Sequence, residues 1–133
     1  MQNQDSPTQT LFDVIGGASA LRQLVDRFYD LMDLEPEFAR IRALHPTTLE
    51  GSRDKLYWFL SGWMGGPDLF VERFGHPRLR ARHLPYAIGI EERDQWLRCM
   101  AWAMQDMQVD EALQQRLMES FYKTADWMRN RAG

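Results

Sequence analysis

No segment of this 133-residue chain alternates apolar and polar residues over the length of a strand, and no hairpin turn joins two such segments. Apolar residues recur instead three and four positions apart, the spacing of one face of an α-helix. That pattern confines the chain to an all-α fold. Leu21, Leu24, Val25, Phe28, Leu31 and Met32 form one stripe, predicting a helix from Ala18 to about Leu34. Pro36 ends it, because a proline disfavours the helical state of the residue before it. A short turn over 11–15 is stopped by Gly16-Gly17, and Phe38, Ile41 and Leu44 predict a second short helix. Thr47 and Glu50 have the spacing of a capping box at the head of a helix that carries Leu56, Phe59, Leu60 and Trp63 on one face. Gly65-Gly66-Pro67 stops that helix. A short helix is predicted up to Phe74 and a longer one over 91–107. A last helix, capped by Asp110, runs to about Arg129 with Leu113, Leu117, Phe121, Ala125 and Met128 inward.

The segment from 65 to 89 is too irregular for an ideal four-helix bundle, with at most one helical turn around residues 79–83. A long connector inside a compact domain is usually functional. Residues 1–10 read as a flexible tail and 11–130 as one domain. Sixteen basic against nineteen acidic residues, a net charge of -3, give no general attraction for nucleic acid or an anionic membrane. No apolar run approaches the roughly 20 residues of a membrane span, and no secretion signal is visible at the N-terminus. The single cysteine, Cys99, excludes an internal disulfide and fits a reducing compartment, so a cytoplasmic location is expected. Five Trp, seven Phe, four Tyr and eight Met are many for this size. They suit a well-filled core, and equally a cavity lined for a large flat ligand.

The irregular connector carries Pro77-Arg78-Leu79-Arg80-Ala81-Arg82-His83-Leu84-Pro85-Tyr86. A neutral imidazole can bind a borderline metal, and arginines beside it can bind carboxylates with paired hydrogen bonds. One ligand that needs both is heme, with an iron at its centre and two propionates at its rim. Taken alone, His83 is more often a solvated loop histidine and the arginines a solvated patch. Phosphate-cradling loops, paired-cysteine zinc patterns and nucleophile elbows are absent from the sequence.

The ordered motifs Gly16-Gly17, Arg27-Phe28-Tyr29, Gly65-Gly66-Pro67, the run from Glu72 to Tyr86, and Glu92 to Met100 together resemble the group II truncated hemoglobins. The likeness spans roughly residues 11–128. It implies a truncated globin, a two-over-two helical sandwich around heme b (iron protoporphyrin IX), whose proximal segment is largely an extended loop. It further implies that His83 is the iron ligand and that Tyr29, His45 and Trp96 line the distal side and hydrogen-bond a bound ligand. Ser52, Leu56, Phe59 and Leu60 would contact the heme face, while Lys55, Arg78 and Arg82 would serve the propionates, Arg82 ahead of Arg78. Tyr86 stands where the family commonly has phenylalanine, adding a hydroxyl at the rim.

The expected ligands are oxygen, nitric oxide, carbon monoxide or similar small molecules. Tight oxygen binding or oxygen/nitric oxide redox chemistry is the leading expectation. Nitric oxide dioxygenase or peroxidase-like activity, with an electron-donating reductase as partner, is the alternative. A reading of another class is a heme-free helical interaction module that keeps globin packing. Tyr29 or His45 could also take the sixth iron position when no gas is bound. His76, before a proline, reads as structural or exposed, and Cys99 as an inert core thiol.

Overall fold

The structure, a computed structural model, describes residues 9–132. Helices α1 (Leu11–Ile15), α2 (Gly17–Leu34), α3 (Ala39–Ala43), α4 (Glu50–Trp63), α5 (Leu69–Phe74), α6 (Leu79–His83), α7 (Ile90–Asp106) and α8 (Glu111–Trp127) follow in order, with a 3-10 turn at Pro36–Phe38 before α3. No strand occurs among the described residues. Most of the expected tail, residues 1–8, lies outside the described residues. Thr10, its last member, caps α1: its hydroxyl accepts from the Asp13 N–H, and the Asp13 carboxylate accepts from the Thr10 N–H.

Two helices lie over two. Helix α2 packs against α4 and α7, and α7 packs against α8. Trp63 of α4 stacks on Phe121 of α8 at 4.9 Å between ring centroids, closing the sandwich on its fourth side. The predicted α2 stripe is the seam of this packing: Leu21, Leu24, Val25, Phe28, Leu31 and Met32 are all buried, against Cys99, Met100, Ala103 and Met104 from α7 and Leu117 from α8. Each large apolar side chain buried here stabilises the fold by about 1.5–3 kcal/mol before conformational entropy is set against it.

Ion pairs set how α4 lies on α2. The Arg53 guanidinium donates to Asp30 at 2.7 Å and to the Asp26 backbone carbonyl at 2.9 Å, while Arg22 donates to Asp54 at 2.8 Å. At the other end of the molecule, α7 starts from Gly89, whose N–H donates to the Glu92 carboxylate at 2.8 Å. Asp110 caps α8 as expected by accepting from the Leu113 N–H.

The capping box at Thr47 does not form. Helix α4 begins at Glu50 with Leu49 in the cap position and no side-chain cap bond. Two interactions hold the preceding residues out of the helix. The Arg42 guanidinium donates to the carbonyls of Pro46 and Thr47 at 2.8 and 2.7 Å, and Leu49 turns into the core. A cap is worth about 1 kcal/mol, less than the burial of a leucine.

Two glycines set the entry of α1 onto this frame. Gly16 is left-handed at φ 116°, which lets one residue end α1 and begin α2. Gly66 passes under the Phe12 ring so closely that a Cβ there would lie 2.5 Å from it. Gly66→Ala should therefore lower stability by about 1–3 kcal/mol, an overpacking cost. Gly51→Ala, where a Cβ meets nothing within 4 Å, should leave stability unchanged or raise it by up to about 1 kcal/mol through helix propensity. Urea unfolding of the two variants measures both.

Candidate functional site

His83 closes the five-residue α6 inside the predicted connector. Its ring Nδ1 lies 2.7 Å from the carbonyl of Leu79, one turn earlier. A carbonyl only accepts, so Nδ1 carries the hydrogen and Nε2 of the neutral ring keeps its lone pair. This is the arrangement a metal-binding imidazole needs: one nitrogen held, the other basic and free. Leu79 lies on the same face and lines a cleft of about 480 Å³ with Phe59 and Trp63 of α4 and Trp127 of α8.

His45 follows the same local rule. Its Nδ1 donates to the Ile41 carbonyl at 2.7 Å, leaving Nε2 as acceptor. Burial holds the imidazole below its ordinary pKa. The Ile41 bond opposes the shift, while the positive charge of Arg42 adds to it.

Tyr29 is 5% exposed, with its ring edge-on to Phe28 at 5.0 Å and to His45 at 5.7 Å. Burial pushes its hydroxyl well above the usual phenol range, despite the nearby Arg53 charge, so it stays protonated. That hydroxyl has no hydrogen-bond partner among the described residues, and neither has the indole N–H of half-buried Trp96. The Trp96 ring packs at 5.1 Å from Phe28 and 5.4 Å from Phe121. Leaving a buried hydroxyl unpaired costs about 1–3 kcal/mol, and such groups are characteristic of binding sites. The α4 face tells the same story. Ser52, Leu56 and Phe59 are only half-buried, although Leu60 beside them is fully buried. A half-open apolar face, a histidine with a free Nε2 and a buried unpaired donor suit a flat apolar cofactor with a central metal, and the residues present therefore fit heme.

The cations divide differently from the expectation that groups Arg78 with Arg82. Arg78 sits outside α6 as its left-handed cap at φ 47°. The Arg82 Nε donates to the Pro77 carbonyl at 2.6 Å, and its guanidinium lies over the Phe70 ring at 5.2 Å. Lys55 is exposed and makes no ion pair among the described residues. Tyr86 is exposed at the surface, its ring 6.4 Å from that of His83. His76 is exposed and accepts from the Arg78 N–H. Cys99 is fully buried, its thiol donates to the Phe28 carbonyl, and burial pushes it up to about 12, so it is inert at neutral pH. Sequence reading missed the carbonyls of Ile41 and Leu79. Their signal was present, since each lies four residues before a histidine in a helical stretch.

Comparison with known proteins places the chain in a known family. The profile of the family described as bacterial-like globin matches residues 10–130. The chain is 38% identical over 114 residues to a group 2 truncated hemoglobin of Bacillus subtilis (strain 168), covering 86% of this chain and 84% of that one. It superposes on the group II 2-on-2 hemoglobin from the plant pathogen Agrobacterium tumefaciens with a TM-score of 0.90 and 45% identity, over 94% of this chain and 97% of the other. A truncated oxygen-avid haemoglobin from Bacillus subtilis superposes with a TM-score of 0.84 at 36% identity, over 92% and 100% of the two chains.

The depressed pKa of His45 makes stability depend on pH. In the unfolded chain the ring takes up a proton near its ordinary value of about 6.5, but the folded protein resists protonation. The contribution is fully present above that value and is lost as pH falls toward the lower folded value. Urea unfolding from pH 8 to pH 5 should show this decline in the parent protein. His45→Asn, which keeps a donor for the Ile41 carbonyl and cannot titrate, should flatten it.

Proposed function

The chain belongs to the bacterial-like globin family as a group II truncated hemoglobin, a family that binds small ligands through heme, and we propose that it holds heme b through His83 and binds oxygen tightly. The observation that carries the reading is the buried Tyr29 hydroxyl and the half-buried Trp96 indole N–H, both on rings packed against Phe28 and neither with a hydrogen-bond partner among the described residues. Residues 11–130 form the heme-binding domain in this reading.

Ferrous heme, when bound, would supply reversible binding of diatomic gases. The side chains determine the rest. Nε2 of His83 would hold the iron, with the Leu79 carbonyl orienting the ring and raising its basicity. Lys55 and the terminal guanidinium nitrogens of Arg82 serve the propionates. Ser52, Leu56, Phe59 and Leu60 cover the apolar face and exclude water, with Arg78 and Tyr86 toward the rim.

On the distal side, Tyr29 O–H and Trp96 N–H would donate to a polarised ligand. A hydrogen bond to a charged acceptor is worth about 1.5–3 kcal/mol, and about 1.4 kcal/mol is tenfold in rate or equilibrium. Two donors therefore slow oxygen release by roughly two to four orders of magnitude. Carbon monoxide, much less polarised, gains less. His45 has a different part from the other two: with Nδ1 committed to Ile41, neutral His45 accepts at Nε2 and becomes a donor only when protonated. The oxygen-avid character of the similar Bacillus subtilis haemoglobin supports the same reading.

One observation favours a second reading, peroxidase-like or nitric oxide chemistry fed by a reductase. Neutral Nε2 of His45 can take a proton from a hydroperoxide, as a general base does. The absence of a second cysteine supports a cytoplasmic setting for either.

The purified protein supplied with heme should show a Soret band, and His83→Gly should lose the normal ligation and regain it with added imidazole. Stopped-flow oxygen release should speed up roughly ten- to hundredfold in Trp96→Phe and in Tyr29→Phe, from the loss of one charge-assisted bond. Release within milliseconds that neither substitution alters would overturn the tight-binding reading. A colourless protein that never takes up heme would instead point to an interaction module.

A further inference from the structure

Helix α6 has little support of its own beyond the contacts of Arg82 to the Pro77 carbonyl and the Phe70 ring. It is five residues long, none of them buried, and its cap residue makes no side-chain cap bond. A helix of this length does not persist by itself, and α6 makes no extensive backbone packing with any other helix. Yet it carries His83, whose direction must be held closely for an iron to be bound in one geometry.

The support comes from the residues that follow α8. The side-chain amide of Asn130 donates from Nδ2 to the carbonyl of Tyr86 at 2.8 Å and to the carbonyl of His83 itself at 3.3 Å. Its Oδ1 accepts from the Ile88 N–H at 3.0 Å. The backbone N–H groups of Asn130 and Arg131 both donate to the Ile88 carbonyl, at 2.8 and 3.1 Å. One amide thus satisfies three backbone groups spread over residues 83–88. Arg80, on α6, reaches the same tail: its guanidinium donates to the carbonyls of Trp127 and Arg129 and lies over the Trp127 ring at 5.2 Å.

We propose that Asn130 is the positioning residue of His83, clasping the end of α6 to the C-terminal tail so that the imidazole keeps one orientation. His83 is then tied at two points, its ring Nδ1 to Leu79 and its carbonyl to Asn130. The amide is required, because both groups it meets at Nδ2 are carbonyls and need a donor. A carboxylate of the same shape keeps the Ile88 bond but turns an acceptor toward two acceptors.

The inference rests on His83 as the iron ligand, and its test separates the two. In the heme-loaded protein, Asn130→Asp and Asn130→Ala should speed hydrogen exchange at the Arg82 and Tyr86 amides about tenfold, the scale of one lost hydrogen bond. Amides of α2 and α7 should be unaffected. The iron–histidine stretching band of the ferrous protein should shift or broaden, and heme loss should accelerate by about tenfold. Unchanged exchange at these amides, an unchanged band, or equal acceleration in every helix would overturn the proposal. Exchange at Arg82 and Tyr86 reads the clasp whether or not His83 holds iron. Unaltered ligation in His83→Gly would sink the ligand assignment alone.

Discussion

The packing of α2 on α7 around Phe28 is the contact on which the site depends. Phe28 is fully buried, and its ring packs against both Tyr29 and Trp96. Tyr29 and Trp96 come from different layers of the sandwich, and this one ring sets their separation. Dispersion and burial are non-directional, but a close-packed interior allows few arrangements. Precision at the polar groups is therefore inherited from apolar contact. The adjacent Cys99 thiol, donating to the Phe28 carbonyl, sits in the same seam.

Backbone carbonyls supply the second level of order. His45 and His83 are held the same way, each by the carbonyl four residues earlier. The same bond has different consequences on the two sides of the site. On His83 it fixes the ring and leaves Nε2 free, as the proposed iron ligand needs, and on His45 it leaves Nε2 an acceptor. The directing groups are main-chain atoms, so side-chain identity alone cannot predict the tautomer.

Much of the fold was legible in the sequence. The stripes of α2, α7 and α8 appear as helices with nearly the expected bounds, because burial on one helical face imposes a period that composition cannot hide. The single turn at 79–83 and the breaks at Gly16, Gly65 and Gly75 were also legible, since glycine and proline act locally. Thr47 was misread because the cap competed with partners distant in the fold. Arg42 claimed the carbonyls of Pro46 and Thr47, and the core claimed Leu49. At the site, residue types and order pointed to His83, Tyr29 and Trp96. The division of labour among Arg78, Arg80 and Arg82 was not readable, because a spacing of two or four says which face they share but not what that face meets.

What the sequence by itself determined is the helical class, the order of the elements, and the presence of an imidazole, a phenol and an indole at positions matching one family. Those follow from local propensity, periodicity and motif order. Only the tertiary structure decided that the Tyr29 hydroxyl is buried without a partner among the described residues, that Arg80 and Asn130 bond between α6 and the residues around the end of α8, and that His45 Nδ1 is committed to the Ile41 carbonyl. Asn130 lies 47 residues from His83 in the chain. A hydrogen bond across that distance depends on where two helices end in space, and no local pattern encodes the meeting point.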